Sequence, residues 1–153
     1  MERLELKVPP DVLWLGVAGL MWRASTLGPT VVVATPIRVA LAVLPCGVGI
    51  ALIVAARRAF RSAGTTWLPS DPVGTTRLVT SGVFRVSRNP MYLGMLLVLL
   101  GLAFALSSPL ALALTAPFVL YLNRFQIRPE ERALSAAFGD GYRDYAERVR
   151  RWL

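Results

Sequence analysis

A long uncharged block in the second half of the chain predicts the centre of the architecture. Residues 89–123 form a run of 35 residues without Asp, Glu, Lys or Arg. As one helix this run would be about 52 Å long at about 1.5 Å per residue, whereas a bilayer core is about 30 Å thick. The sequence Ser107-Ser108-Pro109 interrupts the run near its middle, and proline disfavours continued helix. The pattern therefore predicts a helical hairpin, residues 90–106 and 110–122, whose charged ends return to the same side of a membrane.

Two further apolar stretches precede the hairpin. Residues 12–27 are long enough to cross a membrane if their single arginine extends to the interface. Residues 39–56 are 18 uncharged residues, in which a proline predicts a kink and two glycines permit close helix packing. The pattern leaves open whether residues 24–37 span the membrane, re-enter it or lie at its interface.

Polar segments connect and follow these stretches. Residues 57–88 are rich in Gly, Ser, Thr and Pro and are expected to form an ordered loop. Beyond residue 124, a proline, two adjacent glutamates and Gly139 are typical of the start and the end of a helix. A second, amphipathic helix is expected to begin near Tyr142, because aromatic and apolar residues recur there at helical spacing, namely Tyr142, Tyr145, Val149 and Trp152.

These elements predict an all-α fold, a polytopic membrane helical bundle of about four spans in one domain over residues 1–153. Its parts are N-terminal membrane helices (1–56), a cytoplasmic loop (57–88), the hairpin (89–123) and cytoplasmic C-terminal helices (124–153). In this topology 15 of the 17 basic residues fall on one side of the membrane, and only Arg23 and Arg38 fall on the other. The positive-inside rule then predicts that both termini and the central loop are cytoplasmic.

Composition narrows the classes of function. Hydrophobic residues make up 55% of the chain and the mean hydropathy is +0.55, which is too apolar for a soluble domain with a polar exterior. The absence of histidine excludes Ser-His-Asp and Cys-His catalysis and HExxH metal sites, and the single Cys46 excludes an internal disulfide. We expect no metal site. The net charge of +8 is assigned to topology and anionic lipid headgroups rather than to nucleic acid.

The start of the hairpin carries groups suited to an anion. Arg88 is a forked donor for a carboxylate or phosphate, and Asn89 can both donate and accept. Pro90 begins a helix, whose free N–H groups and positive dipole end favour an anion. Tyr92 and Gly94 follow in the first turn, where the glycine admits a ligand or another backbone.

The other end of the hairpin carries groups suited to a cation, to hydroxyls and to an aromatic base. Arg128 can pair with an acidic group, and Glu130 and Glu131 can accept from hydroxyls or an ammonium. Tyr142 and Tyr145 can stack on a base or face a cation. Together the two ends suit a ligand with a carboxylate, hydroxyls, an aromatic base and a cation, held at a membrane surface.

Three groups of residues, taken in order, carry a family resemblance. They are Leu78-Val79-Thr80-Ser81-Gly82-Val83-Phe84, then Arg88-Asn89-Pro90-Met91-Tyr92-Leu93-Gly94, then Glu130-Glu131-x-x-Leu134 with Phe138-Gly139, Tyr142, Tyr145 and Arg148-Val149. This series resembles the isoprenylcysteine carboxyl methyltransferase family, which is grouped with the phospholipid methyltransferases. The resemblance covers roughly residues 57–152, and Asn89 stands where the family often has histidine.

The resemblance implies a function and a set of residues. It implies S-adenosylmethionine as cofactor, bound on the cytosolic side, and a lipidic or amphipathic methyl acceptor that enters from the membrane lipids. The implied cofactor residues are Leu78, Val79, Gly82, Arg88, Asn89, Pro90, Tyr92, Gly94, Glu130 and Glu131. The implied catalytic residues are Arg128, which would orient the acceptor, together with Glu130 and Glu131.

The acceptor and the reaction remain open between alternatives. A carboxylate acceptor needs no general base, which is consistent with a chain that lacks histidine, whereas an amine acceptor must lose a proton to Glu130 or Glu131. Carboxyl O-methylation is the first hypothesis and phospholipid or other amine N-methylation is the second. A non-catalytic membrane subunit that keeps the fold is a third, and a sterol reductase, which uses a nicotinamide cofactor, is a fourth.

Overall fold

Seven α-helices form the computed structural model, which describes residues 5–65 and 77–153 and contains no strand among them. A 3₁₀ turn, Gly82–Arg85, precedes α3, and a π-helical segment, Leu122–Ile127, joins α5 to α6. The helices are α1 Pro10–Ser25, α2 Thr35–Ser62, α3 Pro90–Ala105, α4 Pro109–Ala113, α5 Thr115–Tyr121, α6 Arg128–Phe138 and α7 Asp140–Arg148. The predicted all-α class is confirmed.

Proline and glycine set most of the helix boundaries. Five of the seven helices, α1, α2, α3, α4 and α6, carry proline at their first or second position. Proline is favoured there because its fixed φ suits the helix and its missing N–H has no partner to lose. Gly139, at φ +52°, separates α6 from α7. The helix end predicted at Gly139 is therefore confirmed.

The predicted hairpin is confirmed, with its turn where the serines and proline interrupt the apolar block. Ser107 adopts φ +49°, and the Ser108 hydroxyl accepts a hydrogen bond of 3.3 Å from the backbone N–H of Ala111. The second arm differs from the prediction, because helical structure continues from Pro109 to Phe138 rather than stopping at residue 122. The wider π turn directly before Pro129 accommodates a residue that cannot donate a helical hydrogen bond.

The first arm of the hairpin packs closely on α2. A Cβ atom added to Gly49 would lie 2.5 Å from the carbonyl oxygen of Gly94, and one added to Gly94 would lie 2.5 Å from that of Gly49. Farther along, Gly101 faces Cys46 in the same way. Glycines on both helices thus let the two backbones touch. The close packing predicted for the two glycines of residues 39–56 is confirmed for Gly49 and is wrong for Gly47, which meets no atom of another helix within 4 Å.

Two helical stretches are long and apolar enough to cross a membrane, namely α2 and Pro109–Phe138, and α3 is a shorter apolar helix of 16 residues. The α2 helix begins before the predicted stretch 39–56 and continues past Arg57 and Arg58 to Ser62, because nothing in that sequence breaks a helix. Residues 26–34 are not helical, so they do not form a helical span. The Val31 N–H instead donates 2.9 Å to the carbonyl of Ser107 at the hairpin turn.

Two clusters of buried residues fill the interior. The larger joins α1 to the hairpin and includes Met21, Leu99, Phe118 and Leu122, while the Trp14 indole donates 3.0 Å to the carbonyl of Met95. The smaller joins the polar end of α2 to the 3₁₀ turn and α7. It holds the described part of the predicted ordered loop against the helices. Residues 66–76 of that loop lie outside the described residues.

Candidate functional site

The polar ends of the hairpin converge on one cluster of ionised side chains. The Arg88 guanidinium lies 3.2 Å from Glu131 Oε1 and donates a 3.3 Å hydrogen bond to the Tyr142 hydroxyl. The Arg88 and Glu131 side chains are only 16% and 18% exposed. Because Arg88 directly precedes α3 and Glu131 lies in the first turn of α6, the hairpin itself sets this contact.

Glu131 has a second cationic partner. Arg151 donates two hydrogen bonds to the Glu131 carboxylate, from Nε to Oε1 at 3.0 Å and from Nη2 to Oε2 at 2.6 Å. Such forked pairs are the strong form of the arginine–carboxylate interaction. The hydrogen bond to Glu131 raises the pKa of Arg151 above its ordinary value. Glu131 therefore serves as a shared anchor for two guanidinium groups.

The neighbouring Glu130 has a different environment. Its carboxylate accepts a hydrogen bond from the Tyr92 hydroxyl, and it forms no ion pair with any arginine or lysine of residues 5–65 or 77–153. Two adjacent glutamates are thus assigned to separate partners: Glu131 to arginines and Glu130 to a phenol. The expected convergence of Arg88 and Tyr92 with the paired glutamates is confirmed.

A short non-helical segment, residues 149–153, crosses the start of α3, and we call it the strap. The backbone N–H of Arg88 donates 3.0 Å to the Arg150 carbonyl. The carbonyl of Arg151 accepts from Ser87 Oγ at 3.3 Å and from Asn89 Nδ2 at 3.0 Å. The donors that precede α3 are therefore already directed at main-chain oxygen atoms.

The strap also reaches the other arm of the hairpin. The Trp152 indole donates 3.1 Å to Asn123 Oδ1, at the start of the π-helical segment. The prediction that Val149 and Trp152 continue the amphipathic helix is wrong, because α7 ends at Arg148 and Val149 adopts an extended conformation. The extended backbone is what exposes the carbonyls that the residues before α3 require.

Aromatic residues of α7 form the wall beside Arg88. Tyr142 and Tyr145 are both buried, and the Tyr145 hydroxyl donates 2.7 Å to the carbonyl of Phe84. Burial raises the pKa of Tyr145 to about 12, with Tyr142 adding in the same direction and Arg88 opposing it. Burial also raises the pKa of Tyr142, and the charge of Glu131 raises it further. Both phenols are therefore neutral at physiological pH.

The remaining candidate residues occupy varied positions. Leu78 and Val79 belong to the buried cluster with the α7 tyrosines, and Gly82 begins the 3₁₀ turn at φ +60°. Pro90 is the first residue of α3, and Gly94 contacts the α2 backbone rather than open space. Arg128 is exposed at the start of α6, and its side chain makes no hydrogen bond or ion pair with the rest of the described chain. The structure thus leaves Arg128 outside the cluster.

Sequence reasoning missed four residues that hold the cluster together: Ser87, Asn123, Arg151 and Trp152. The adjacent Arg150-Arg151 was a signal, but it was counted with the other basic residues of the tail. No group of three or more His, Cys, Asp or Glu side chains suited to a metal ion occurs within residues 5–65 and 77–153.

Comparison with known proteins adds independent information. A model of the phospholipid methyltransferase family matches residues 37–141, which include most of α2, the hairpin and both glutamates. An uncharacterized protein of Haemophilus influenzae is 48% identical over 63 residues, which are 41% of this chain and 100% of that protein. No solved structure matches.

Two plant relatives carry functional names. A probable protein-S-isoprenylcysteine O-methyltransferase of Oryza sativa subsp. indica is 40% identical over 76 residues, covering 48% of this chain and 38% of the relative. Protein-S-isoprenylcysteine O-methyltransferase B of Arabidopsis thaliana is 36% identical over 73 residues, covering 48% and 37% respectively. The chain thus spans less than two fifths of the length of each plant relative.

Proposed function

The chain belongs to the phospholipid methyltransferase family, and from this premise we propose that it transfers a methyl group from S-adenosylmethionine to a lipidic or amphipathic acceptor at a membrane. Membership of a methyltransferase family and two membrane-length apolar helices support this reading. The acceptor that we propose first is the carboxylate of an amphipathic thioether of the isoprenylcysteine type, because the named plant relatives are O-methyltransferases.

The arrangement of the two adjacent glutamates carries the proposal. A cofactor with a carboxylate, an ammonium and ribose hydroxyls needs both a cationic group and acceptors within a few ångströms of each other. Arg88 supplies the first, and its Nε is buried without a hydrogen-bond partner among the described residues, so one directed donor is available to an anion. Glu130 supplies the second, since its carboxylate is held by a neutral phenol and not neutralised by a described arginine.

The residues present therefore fit the cofactor. We assign the carboxylate to Arg88 and to the second amide N–H of Asn89, beside the one that donates to the Arg151 carbonyl. The ammonium and ribose hydroxyls are assigned to Glu130, with Glu131 holding Arg88 and Arg151 in place, and the base to the aromatic wall of α7. Tyr92, Pro90 and Gly94 fix the start of α3 beside these groups, and Leu78, Val79 and Gly82 form the adjoining wall. When bound, S-adenosylmethionine supplies an electrophilic methyl group carried on a sulfonium.

The side chains of this chain position the reactants and exclude water. Methyl transfer is an in-line displacement, so alignment of the acceptor can supply most of the rate enhancement. Arg128, which has no described partner of its own, is proposed to bind the acceptor carboxylate and hold it in line. No proton has to be removed from a carboxylate acceptor, which is consistent with a site without histidine.

One observation favours a second acceptor class. Glu130, which accepts a hydrogen bond from Tyr92, places a carboxylate without a cationic partner among the described residues beside the site. Such a group can bind the ammonium of an amine acceptor and take the proton that N-methylation releases. Phosphatidylethanolamine is the simplest membrane lipid with that chemistry, so N-methylation of a phospholipid amine is our second candidate.

We also propose a membrane topology. Four helical segments, α1, α2, α3 and the stretch from Pro109, cross the bilayer, and the end that holds the cluster faces the cytoplasm. The charge distribution supports this, because the hairpin turn carries no basic residue while the opposite end carries most of them. In a Cys46→Ala background, a membrane-impermeant maleimide applied to intact cells should label Thr26→Cys and not Arg143→Cys. Labelling of Arg143→Cys alone would reverse the orientation.

Calorimetry on detergent-purified protein tests the cofactor. Wild-type protein should bind S-adenosylmethionine and S-adenosylhomocysteine, and Arg88→Ala and Glu130→Ala should each weaken binding tenfold or more, about 1.4 kcal/mol. Arg143→Ala is the matched control, because Arg143 pairs only with Asp140 in an ion pair where both side chains are largely exposed. Failure of folded wild-type protein to bind either ligand would overturn the proposal and favour a non-catalytic subunit.

A methyl-transfer screen separates the two acceptor classes. Radiolabelled cofactor is offered with farnesylcysteine in detergent or with phosphatidylethanolamine vesicles, and the product is treated with base. A carboxyl methyl ester releases volatile methanol, whereas a methylated amine retains its label. Release of volatile label from farnesylcysteine supports the first candidate, and retained label on the phospholipid supports the second.

A further inference from the structure

A groove at the hairpin turn lies at the opposite end of the helices from the candidate site. It encloses about 190 Å³, several times the roughly 30 Å³ share of one liquid water. Its walls come from the linker before α2, from α2, from the end of α3 and from the turn, including Val31, Leu41, Phe104 and Leu112. Seven of the ten residues that line the groove are apolar, so it suits a hydrocarbon chain.

Arg38 is the single charged residue that lines this groove within the described chain. Its side chain is exposed and has no hydrogen-bond or ion-pair partner among residues 5–65 and 77–153. The hydroxyl of Ser107, which also lines the groove, is used within the turn, donating to the carbonyl of Phe104 at 3.4 Å. The groove therefore presents one uncommitted guanidinium beside apolar walls.

No acidic residue of the described chain can neutralise Arg38. From residue 12 to residue 129 the described segments contain neither Asp nor Glu, and the paired acids Glu5, Glu130 and Glu131 lie with the other end of α3. The other basic residue at this end, Arg23, has a partner, since its guanidinium donates 2.7 Å to Thr26 Oγ1. No acid of the described residues competes for the Arg38 guanidinium, which is thus open to an anion from outside the protein.

The depth of the hairpin turn in the bilayer also favours an external anion beside Arg38. With 16 residues, α3 is about 24 Å long at about 1.5 Å per residue, and a bilayer core is about 30 Å thick. If the candidate site lies at one interface, the hairpin turn at the end of α3 stops short of the other, and Arg38 lines the same groove as that turn. A short span of this kind draws lipid headgroups inward and directs arginine toward them.

We propose that this groove binds one anionic phospholipid, with an acyl chain against the apolar walls and the phosphate on the Arg38 guanidinium. A planar guanidinium suits a phosphate because it donates two parallel hydrogen bonds. A net anionic headgroup is preferred over a zwitterionic one, because the groove offers no carboxylate to a lipid ammonium. This site is separate from the candidate catalytic cluster and does not depend on the proposed reaction.

Native mass spectrometry of delipidated protein tests the proposal. Wild-type protein should retain one dioleoylphosphatidylglycerol at least tenfold more tightly than dioleoylphosphatidylcholine, and it should not retain glycerol phosphate, which lacks acyl chains. Arg38→Gln should lose the preference for the anionic lipid. The matched control Arg23→Gln, which removes a charge at the same end of the helices, should keep it.

Three results of the lipid comparison would overturn the proposal. They are equal retention of the two lipids by wild-type protein, an unchanged preference in Arg38→Gln, and an equal loss in Arg23→Gln. A dimer peak in place of a lipid adduct would also overturn it, since a second copy would then cover the groove. The comparison of lipids on wild-type protein needs no substitution, so it decides the matter even if Arg38→Gln does not fold.

Discussion

The Tyr92 hydroxyl donates a hydrogen bond to the Glu130 carboxylate, which links residues 38 positions apart across the two arms of the hairpin. This bond joins the first turn of α3 to the first turn of α6. It fixes the separation of the two segments that supply most of the candidate site. Because it lies beside Glu131 and its two arginines, it also decides which of the paired glutamates stays available to a ligand.

A double-mutant cycle measures this link. Tyr92→Phe leaves the Glu130 carboxylate without its donor and should lower the free energy of unfolding by about 1–3 kcal/mol, the usual penalty for an unsatisfied buried group. Glu130→Gln should lose a similar amount, and the double variant should lose less than the sum of the two. Thermal unfolding in one detergent provides the values. Strictly additive losses would mean that the two side chains do not interact.

The close contact of α2 with α3 predicts opposite effects for two neighbouring glycines. Gly49→Ala would force a Cβ atom against the Gly94 carbonyl and should destabilise the protein by about 1–3 kcal/mol, as overpacking does. Gly47→Ala meets no atom within 4 Å and should stabilise it by roughly 0.5–1 kcal/mol through helix propensity. Melting temperatures of the two variants check both signs. A loss of stability in Gly47→Ala equal to that in Gly49→Ala would contradict the packing argument.

Arg151 is expected to be a positioning residue of the cofactor site. Arg151→Ala removes both hydrogen bonds from one side of Glu131 and should cost about 1 kcal/mol of stability, a value kept low because the Arg151 side chain is 34% exposed. Affinity for S-adenosylhomocysteine should fall more than stability does, because Glu131 and Arg88 lose their alignment. Calorimetry and melting on the same sample compare the two. Arg143→Ala, on the exposed face of α7, should change neither by more than about 0.5 kcal/mol.

Tyr145 predicts a fall in stability at high pH. Its pKa is about 12 in the folded protein against an ordinary value of 10.0, so the folded state keeps its proton to higher pH than the unfolded state does. This contribution to stability is complete below pH 10 and is lost as the pH rises from 10 toward 12. Unfolding measured from pH 8 to pH 11.5 should show the decline, and Tyr145→Phe should make it shallower. An identical slope in the variant would assign the decline to other groups.

Substitution of Arg128 should affect binding of the methyl acceptor without affecting binding of the cofactor. If it pairs with the acceptor carboxylate, Arg128→Ala should lower kcat/KM for farnesylcysteine by about 10- to 100-fold, the value of a hydrogen bond to a charged group. Affinity for S-adenosylhomocysteine should stay unchanged, since Arg128 lies outside the cluster around Glu131. A matching loss of cofactor affinity would place Arg128 in the cofactor site instead.

The sequence predicted the hairpin well because its signals were strong and local. A run of uncharged residues too long for one span, with Ser107-Ser108-Pro109 in the middle, admits few other arrangements. The hairpin by itself brings Arg88 and Tyr92 close to the paired glutamates. The end of α6 at Gly139 was equally local, because a positive φ at that position favours glycine.

The strap could not be predicted, because its contribution comes from the backbone. Arg150 and Arg151 offer carbonyl oxygen atoms to Ser87, Arg88 and Asn89, and a carbonyl carries no information about the residue type. The π-helical segment could not be predicted for a similar reason. A change of hydrogen-bond register over six residues does not change the spacing of apolar positions enough to be detected. The separation of Glu130 from Glu131 needed coordinates, because sequence spacing treats adjacent glutamates as equivalent.

The strap also has a consequence for biosynthesis. A ribosome makes the membrane helices first, so α2 and the hairpin can enter the bilayer before residues 149–153 emerge. Until then the donors of Ser87 and Asn89 lack their main-chain acceptor, and Glu131 lacks Arg151. The cluster around Glu131 is therefore completed as the last of its parts is translated. A nascent chain that has inserted but lacks residues 149–153 would carry the membrane helices without the contacts that hold this cluster together.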